Sequence, residues 1–192
     1  EFAYDSALDY FNHCLDSAGS SPENRSLRRE CLIRIAEIHM NSGNPDKALE
    51  LLKPLHQSPG DYHGEICKLL SLSCYLQGNI ESCTRYGREA LASVHESFPA
   101  HDAGLAWHII FERMRYIAAP LFRPARQLQA SRMEFIIYCL GTLSRAYSVT
   151  DPERLRYCSL RINSICRRYM PNSVQQGVGL AVHGATFLTR HA

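Results

Sequence analysis

Histidine, cysteine and carboxylate side chains, the groups that most often do chemistry in proteins, are common along this chain of 192 residues but follow no catalytic motif. The patterns HExxH, GxSxG and CxxC are missing, and no paired Cys/His spacing of a zinc finger occurs. Carboxylates such as Asp46 and Glu50 have the spacing of a solvated helix face, without a partner group for acid–base catalysis. The sequence predicts no catalytic, cofactor-binding or metal-binding residue, and we expect no enzyme activity.

The eight cysteines lie inside apolar stretches, such as Cys67–Cys74 and Cys158–Cys166, and not in the loops of a small secreted domain. We favour buried, reduced thiols over disulfides, which predicts a cytoplasmic protein. No apolar run reaches the roughly 18 residues that span a bilayer, so we expect no membrane insertion. The chain starts at Glu1 without an initiator Met or a leader, and we expect it to be a fragment of a larger protein.

Charge divides the sequence into an acidic and a basic part. Residues 1–102 carry 9 Lys+Arg against 15 Asp+Glu, a net of −6, and residues 103–192 carry 12 against 4, a net of +8. Either the two parts pack on each other, or the basic part binds an acidic partner. Most basic residues, 18 of 21, are arginines, which suit bidentate pairing with carboxylates at protein contacts.

A basic and aromatic stretch near residue 160 raises the alternative of nucleic-acid binding. On a helix, its apolar residues Leu155, Cys158, Ile162 and Ile165 form the core stripe, while the arginines fall largely outside it. We therefore expect a solvated or protein-facing basic surface and no nucleic-acid partner. The candidate partner-binding residues on it are Arg154, Arg161 and Arg168.

An internal repeat is the clearest signal of the fold. The segment Ile33–Leu52 aligns with Lys68–Gly87 at an offset of 35 residues. Each copy reads as an apolar stripe, a Gly-Asn turn that favours the left-handed conformation, and a second apolar stripe, which predicts a pair of antiparallel helices. Matching residues in the two copies are Gly43 and Gly78, Asn44 and Asn79, Ala36 and Ser71, and Ala48 and Cys83.

The small residues at Ala36, Ala48, Ser71 and Cys83 occupy the eighth and twentieth positions of their copies, and in this the sequence resembles the tetratricopeptide family. The resemblance implies an all-α fold, a right-handed superhelix of antiparallel helix pairs (an α-solenoid). It also implies a concave groove lined by the first helices. The candidate partner-binding residues in that groove are Arg34, Glu37, Lys68 and Leu72.

We expect residues 1–192 to form a single domain with regular repeats over 3–97, a longer helix and a Pro-containing linker over 98–133, and divergent repeats over 134–192. Further predictions concern single elements of these regions. They are a repeat's second helix at Tyr4–Cys14, an inserted loop at Ser17–Glu23, an amphipathic helix at Gly104–Ala118, a kinked linker at Ala119–Pro124, a turn at Asp151-Pro152, and the start of one more helix at Gly177–Thr189.

The order of these parts is similar to the helical-repeat region downstream of the nucleotide-binding module in signalling ATPases of the AAA/STAND type, including soluble-adenylyl-cyclase-like proteins. The similarity rests on Tyr86–Leu91, Pro99, Trp107–Tyr116, Arg145–Tyr147 and Asp151-Pro152. It implies an interaction or regulatory scaffold module of a larger cytosolic signalling protein. Its partners would be other proteins, sibling domains or copies of itself. The alternative is a free-standing adaptor that binds a peptide in its concave groove.

Overall fold

The computed structural model describes residues 2–19, 22–58, 60–99, 102–118 and 130–169. Within those ranges the regular structure is entirely helical, which confirms the predicted all-α class. The chain divides into two compact units, Glu1–Ser93 (unit 1) and Val94–Ala192 (unit 2). In the part of the chain that is described, no helix has the length and apolar character needed to cross a bilayer.

The described part of unit 1 contains five α-helices and a short 3₁₀ turn. The helices are α1 (Phe2–Ala18), α2 (Arg25–Asn41), α3 (Pro45–Gln57), α4 (His63–Leu76) and α5 (Ile80–Ser93), and the 3₁₀ turn covers Pro22–Asn24. Helices that follow one another in sequence pack together, and α2 also contacts α4. The core is made of fully buried aliphatic side chains from successive helices, each worth about 1.5–3 kcal/mol on burial. They include Ile33, Leu52, Ile66, Leu70 and Leu91.

Helix α1 continues over Ser17 and Ala18, where the sequence predicted the start of an inserted loop. The amide nitrogen of the Asn24 side chain donates a hydrogen bond to the carbonyl of Ala18 at 2.7 Å. The guanidinium of Arg28 donates another to the carbonyl of Gly19 at 2.6 Å. Because these side chains satisfy carbonyls at the end of α1, the helix extends further than its apolar pattern suggests.

The two Gly-Asn turns of unit 1 have the same geometry. Gly43 and Gly78 adopt φ values of 80° and 76°, in the left-handed region that glycine tolerates without steric cost. In each turn the asparagine amide donates to the carbonyl five residues back, at 2.8 and 2.9 Å, and the glycine amide donates to the carbonyl three residues back, at 3.1 and 2.9 Å. This double hydrogen bond ends α2 and α4 in the same way, and it confirms the predicted turn in both copies.

The small residues of the repeat lie where the helices of each pair meet. Ala36 and Ala48 are both fully buried, and so is Cys83. In the second copy, the hydroxyl of Ser71 donates a hydrogen bond of 2.8 Å to the backbone carbonyl of Cys83. A side chain on one helix reaches the backbone of the other only when the two helices are close, so Ser71 and Cys83 lie at a close contact between α4 and α5.

The described helices of unit 2 are α6 (Asp102–Ala118), α7 (Ala130–Thr150) and α8 (Pro152–Tyr169), and α8 packs against both of the others. Asp151 caps α8, because its carboxylate accepts a hydrogen bond of 3.0 Å from the backbone amide of Arg154. Pro152 then occupies the first helical position, where its missing amide proton costs nothing. The structure thus confirms the turn predicted at Asp151-Pro152.

The predicted elements at 119–124 and 177–189 lie outside the described residues.

Candidate interaction surface and a cluster of metal-ligating side chains

Helix α6 carries five large apolar side chains that remain exposed. We call this row the α6 stripe, and its members are Trp107, Ile110, Phe111, Met114 and Ile117. The sequence predicted the helix and its amphipathic pattern, and the spacing places all five on one face. Trp107, which is the only tryptophan of the chain, is 74% exposed, and Ile117 is 65% exposed. Apolar residues clustered on one exposed face, unlike apolar residues scattered singly over a surface, call for an explanation.

The opposite face of α6 is the one that packs inward. Leu105, Ile109 and Glu112 are buried there, at spacings of four and three residues. At 100° per residue, this row lies nearly opposite the α6 stripe. Arg113 and Arg115 fall on the two borders between these faces and are exposed. The stripe is therefore an apolar surface with a positive charge on each side.

A buried charge cluster explains why α6 turns this face inward. Glu112, which is 4% exposed, accepts a hydrogen bond of 2.6 Å from the hydroxyl of Ser164 and pairs with Arg115 at 2.9 Å and with Arg161 at 3.4 Å. Arg161 also forms a bidentate pair with Glu96, at 2.8 and 3.1 Å. Turning α6 to bury its stripe would remove Glu112 from these partners, so Arg161 would keep only Glu96 and the Ser164 hydroxyl would lose its acceptor.

The electrostatics of Arg161 follow from this cluster. Burial alone would lower the pKa of its guanidinium, but the hydrogen bond with Glu96 and the charges of Glu112 and Glu96 outweigh burial and raise that pKa. Burial also raises the pKa of the neighbouring Tyr157 phenol. The ion pairs of Arg161 with Glu96 and Glu112 join α8 to α6 and to the segment that precedes α6.

A cavity of about 460 Å³ adjoins the α6 stripe between the three helices of unit 2. Phe111 and Met114 line it from the stripe, and Met133 lines it from α7. Four arginines also line it, Arg115 from α6, Arg132 from α7, and Arg161 and Arg168 from α8, together with the carboxylate of Glu96. An apolar floor with cationic walls matches a side chain or helix edge that carries both aliphatic carbon and carboxylate.

The predicted basic candidates differ in their surroundings. Arg154 pairs with Asp102 at 2.7 Å and with Asp151, and its side chain is 17% exposed. The side chain of Arg161 is 15% exposed and holds the buried cluster. Arg168 is exposed and its guanidinium lies over the ring of Tyr169, 5.3 Å from the centroid. Two of the three therefore hold unit 2 together, and Arg168 alone lines the cavity from an exposed position. Their role in partner binding stays a prediction.

The candidates on the first helices of the repeats form ion pairs along their own helices. Arg34 pairs with Glu37 at 3.0 Å on α2, and Lys68 pairs with Glu65 on α4. The hydrogen bond with Glu37 raises the pKa of Arg34, and the charge of Glu65 adds to this. Leu72 is half-buried. This surface is of mixed charge, and its role also stays a prediction.

Four metal-ligating side chains converge in unit 1, where α3, α4 and α5 meet. We call them the His–Cys–Glu cluster, and they are His56, His63, Cys67 and Glu89. One carboxylate oxygen of Glu89 lies 2.9 Å from Nε2 of His56 and 3.0 Å from Nε2 of His63. The sulfur of Cys67 lies 3.6 Å from the same nitrogen of His63. All four ligand atoms lie within 4.8 Å of one another.

Local structure fixes both histidines of this cluster. His56 stacks on His63, with ring centroids 5.3 Å apart, and meets the ring of Tyr86 edge-on at 5.2 Å. The guanidinium of Arg29 is buried and donates to the carbonyls of Leu55 and Ser58 at 2.8 and 3.1 Å. Those carbonyls flank the end of α3, so Arg29 caps the helix that carries His56.

Tyr62, directly before His63, has a φ of 68°. This left-handed conformation costs a residue with a side chain about 1–2 kcal/mol. Such strain persists only where the surrounding structure imposes it, and it is concentrated at functional positions. Here it sets the first residue of α4, His63, beside the end of α3.

The sequence motifs do not identify this cluster, although the sequence contains one part of its pattern. His63 and Cys67 are four residues apart and therefore share a face of one helix, a spacing that serves metal sites as well as ordinary helix packing. His56 and Glu89 lie on neighbouring helices and come close only through the packing of the two repeats. The prediction of no metal-binding residue was made from linear motifs, which do not report contacts of this kind.

All eight cysteines lie in described helices, and no disulfide joins any two of them. Burial is the main cause that raises the pKa of the Cys31, Cys74 and Cys83 thiols. A raised pKa keeps these thiols protonated and unreactive near neutral pH.

Comparison of the chain with protein-family models, with curated proteins and with solved structures finds no match.

Proposed function

We propose that this chain is a protein-interaction module and that the α6 stripe is its principal contact surface. The observation that carries the proposal is the exposure of five large apolar side chains on one face of a helix whose other face is held inward by buried charges. Exposed aliphatic and aromatic area in contact with water is unfavourable, by about 25 cal/mol per Å², and a partner that covers it gains that free energy.

The partner that fits best is an amphipathic helix with carboxylates along both borders of its apolar face. Arg113 and Arg115 border the α6 stripe, and Arg132 and Arg168 line the adjoining cavity. Such a helix would lay its apolar residues on the stripe and its acidic residues against these arginines. It would come from another protein or from a sibling domain of a longer parent chain.

The wider role that we propose follows the sequence resemblance. The module would serve as a regulatory scaffold in a larger cytosolic signalling ATPase or cyclase-like protein, and its helix pairs would continue a right-handed superhelix. The stacking of α2/α3 on α4/α5 supports this arrangement, since α4 contacts both helices of the preceding pair. In the alternative, a free-standing adaptor would bind a peptide on α2 and α4, where Arg34 and Lys68 already have carboxylate partners.

Trp107 offers a direct test, because it is the single tryptophan of the chain and lies in the stripe. The chain would be titrated with a designed amphipathic peptide that has glutamates along both borders, and with the same peptide carrying lysines instead. We expect a blue shift of tryptophan emission with the glutamate peptide and about tenfold weaker binding of the lysine peptide.

Two variants complete the experiment. Arg113→Glu should weaken binding of the glutamate peptide and strengthen binding of the lysine peptide, whereas Arg34→Glu, on the concave candidate surface, should leave the preference between the two peptides unchanged. If neither peptide shifts the emission, or if the emission shifts with protein concentration alone, the proposed acidic helical partner is wrong. The second result would identify the stripe as a contact between copies.

A further inference from the structure

We propose that His56, His63, Cys67 and Glu89 form a binding site for a divalent transition-metal ion, with Zn²⁺ as the best match. The site lies in unit 1, far in sequence from the α6 stripe, and the inference does not depend on the proposed interaction function. It assigns these four side chains a shared role that the repeat pattern does not explain.

The distances in the His–Cys–Glu cluster are close to those of a tetrahedral site. Zinc bonds of about 2.0–2.3 Å set neighbouring ligand atoms about 3.3–3.7 Å apart. Here the nitrogen atoms of His56 and His63 lie 2.9 and 3.0 Å from a Glu89 oxygen, and the sulfur of Cys67 lies 3.6 Å from the His63 nitrogen. All four ligand atoms lie within 4.8 Å of one another, so binding one ion would require side-chain movements that shorten the longer separations.

The choice of ligands selects the class of metal. Two imidazoles, one thiolate and one carboxylate suit zinc and its neighbours in the first transition series. Ca²⁺ and Mg²⁺ require oxygen ligands and would leave the nitrogen and sulfur atoms unused. On binding, Cys67 would release its thiol proton to solvent and coordinate as thiolate, and both histidines would coordinate as neutral imidazoles. Four protein ligands close the coordination sphere, as in structural zinc sites.

An ordinary histidine–carboxylate pair accounts for less of this arrangement. One imidazole is enough to pair with Glu89, yet two direct the same ring nitrogen, Nε2, at one oxygen, and a thiol approaches one of those nitrogens. Cys67 is buried, whereas the side chain of His63 is 43% exposed, so the cluster has a closed inner wall and an outer side through which an ion can enter. The strained Tyr62 immediately precedes His63 and fixes its position.

A metal here would join three helices from two successive repeats: α3 of the first pair and both α4 and α5 of the second. A ligand that binds only the folded chain raises its stability in proportion to the logarithm of the ligand concentration over the dissociation constant. We therefore expect Zn²⁺ to raise the melting temperature of the chain, and EDTA to reverse that increase.

The experiment is a titration of the EDTA-treated, reduced chain with Co²⁺, which reports coordination through its absorption spectrum. We expect one Co²⁺ per chain, the visible bands of a tetrahedral complex, a thiolate-to-metal charge-transfer band in the near ultraviolet, and displacement by Zn²⁺. Absence of binding, or binding without the thiolate band, would overturn the site.

Matched variants separate loss of the site from loss of the fold. His63→Gln, at a half-exposed position, should weaken Co²⁺ binding at least about tenfold without changing the melting temperature of the metal-free chain. The control His13→Gln, exposed on α1, should bind as the original chain does. Cys67→Ser should remove the charge-transfer band, whereas Cys14→Ser should keep it. Equal binding by His63→Gln and His13→Gln would exclude the proposed ligand set.

Discussion

The two units of this chain use similar amphipathic helices in opposite ways. In unit 1 the apolar residues of each repeat point into the core, and charged residues pair along the helix surfaces. In unit 2, helix α6 points its largest apolar residues outward and buries Glu112. The difference shows that hydrophobic periodicity identifies a helix and its faces, but a buried ion cluster can decide which face turns inward.

Among the changes that we predict, removing Glu112 from the buried charge cluster of unit 2 should lower the stability of the chain most. We expect Glu112→Ala to lower the free energy of unfolding by about 3 kcal/mol, because Arg161 would keep only Glu96 as a partner in a buried setting and the hydroxyl of Ser164 would lose its acceptor. Urea denaturation followed by far-ultraviolet circular dichroism measures the change.

Glu134→Ala, at an exposed position of α7, is the control and should change stability by less than about 0.5 kcal/mol. Equal losses in the two variants would remove the cluster as the determinant of α6 orientation.

The helix contacts of unit 1 should respond to added volume. Ala48 is fully buried at the contact between α2 and α3, so Ala48→Leu should overpack the pair and destabilise it by about 1–3 kcal/mol. Ala106, on α6, is exposed, and Ala106→Leu should have little effect on the melting temperature. If the two variants melt at the same temperature as the original chain, the small-residue positions of the repeat are misassigned.

The sequence predicts best those features that depend on residues close together along the chain or on a spacing that recurs. The Gly-Asn turns, the small residues at positions 36, 48, 71 and 83, and the Asp151-Pro152 cap were all predictable, because each depends on residues close in sequence or on a spacing that recurs. The all-α class followed from the same pattern. These features are fixed within one helix pair and do not depend on what the pair packs against.

The functional surfaces were less predictable because they depend on contacts between distant residues. The sequence locates the α6 stripe as apolar, but it does not show that the opposite face carries Glu112, which pairs with Arg161 49 residues further along the chain. The helical spacing of Arg154 and Arg161 predicts surface residues, whereas in the structure both form ion pairs within unit 2. The His–Cys–Glu cluster requires three helices from two repeats, and no single repeat contains it.

The smallest expected effects compare single glycines. Gly43→Ala and Gly78→Ala should each destabilise the chain by about 1 kcal/mol, because both sites have a positive φ that alanine adopts only at a cost. A new Cβ would meet no atom within 4 Å at either site, so no steric clash adds to that cost. Gly141→Ala, inside α7 and also in open space, should instead stabilise by about 0.5–1 kcal/mol through helix propensity. Thermal unfolding of the three variants measures this. Unequal losses at Gly43 and Gly78 would show that the two turns are not equivalent.

The ion pair between Glu96 and Arg161 also has a consequence for the order of folding. It joins residues 65 positions apart, whereas the helix pairs of unit 1 close over short loops. Loop closure costs entropy that grows with the length of the loop, and chains with mostly local contacts reach their transition state sooner. The hairpins of unit 1 can therefore form early, while the ion pairs of Arg161 with Glu96 and with Glu112 of α6 can form only after α8 has been synthesised.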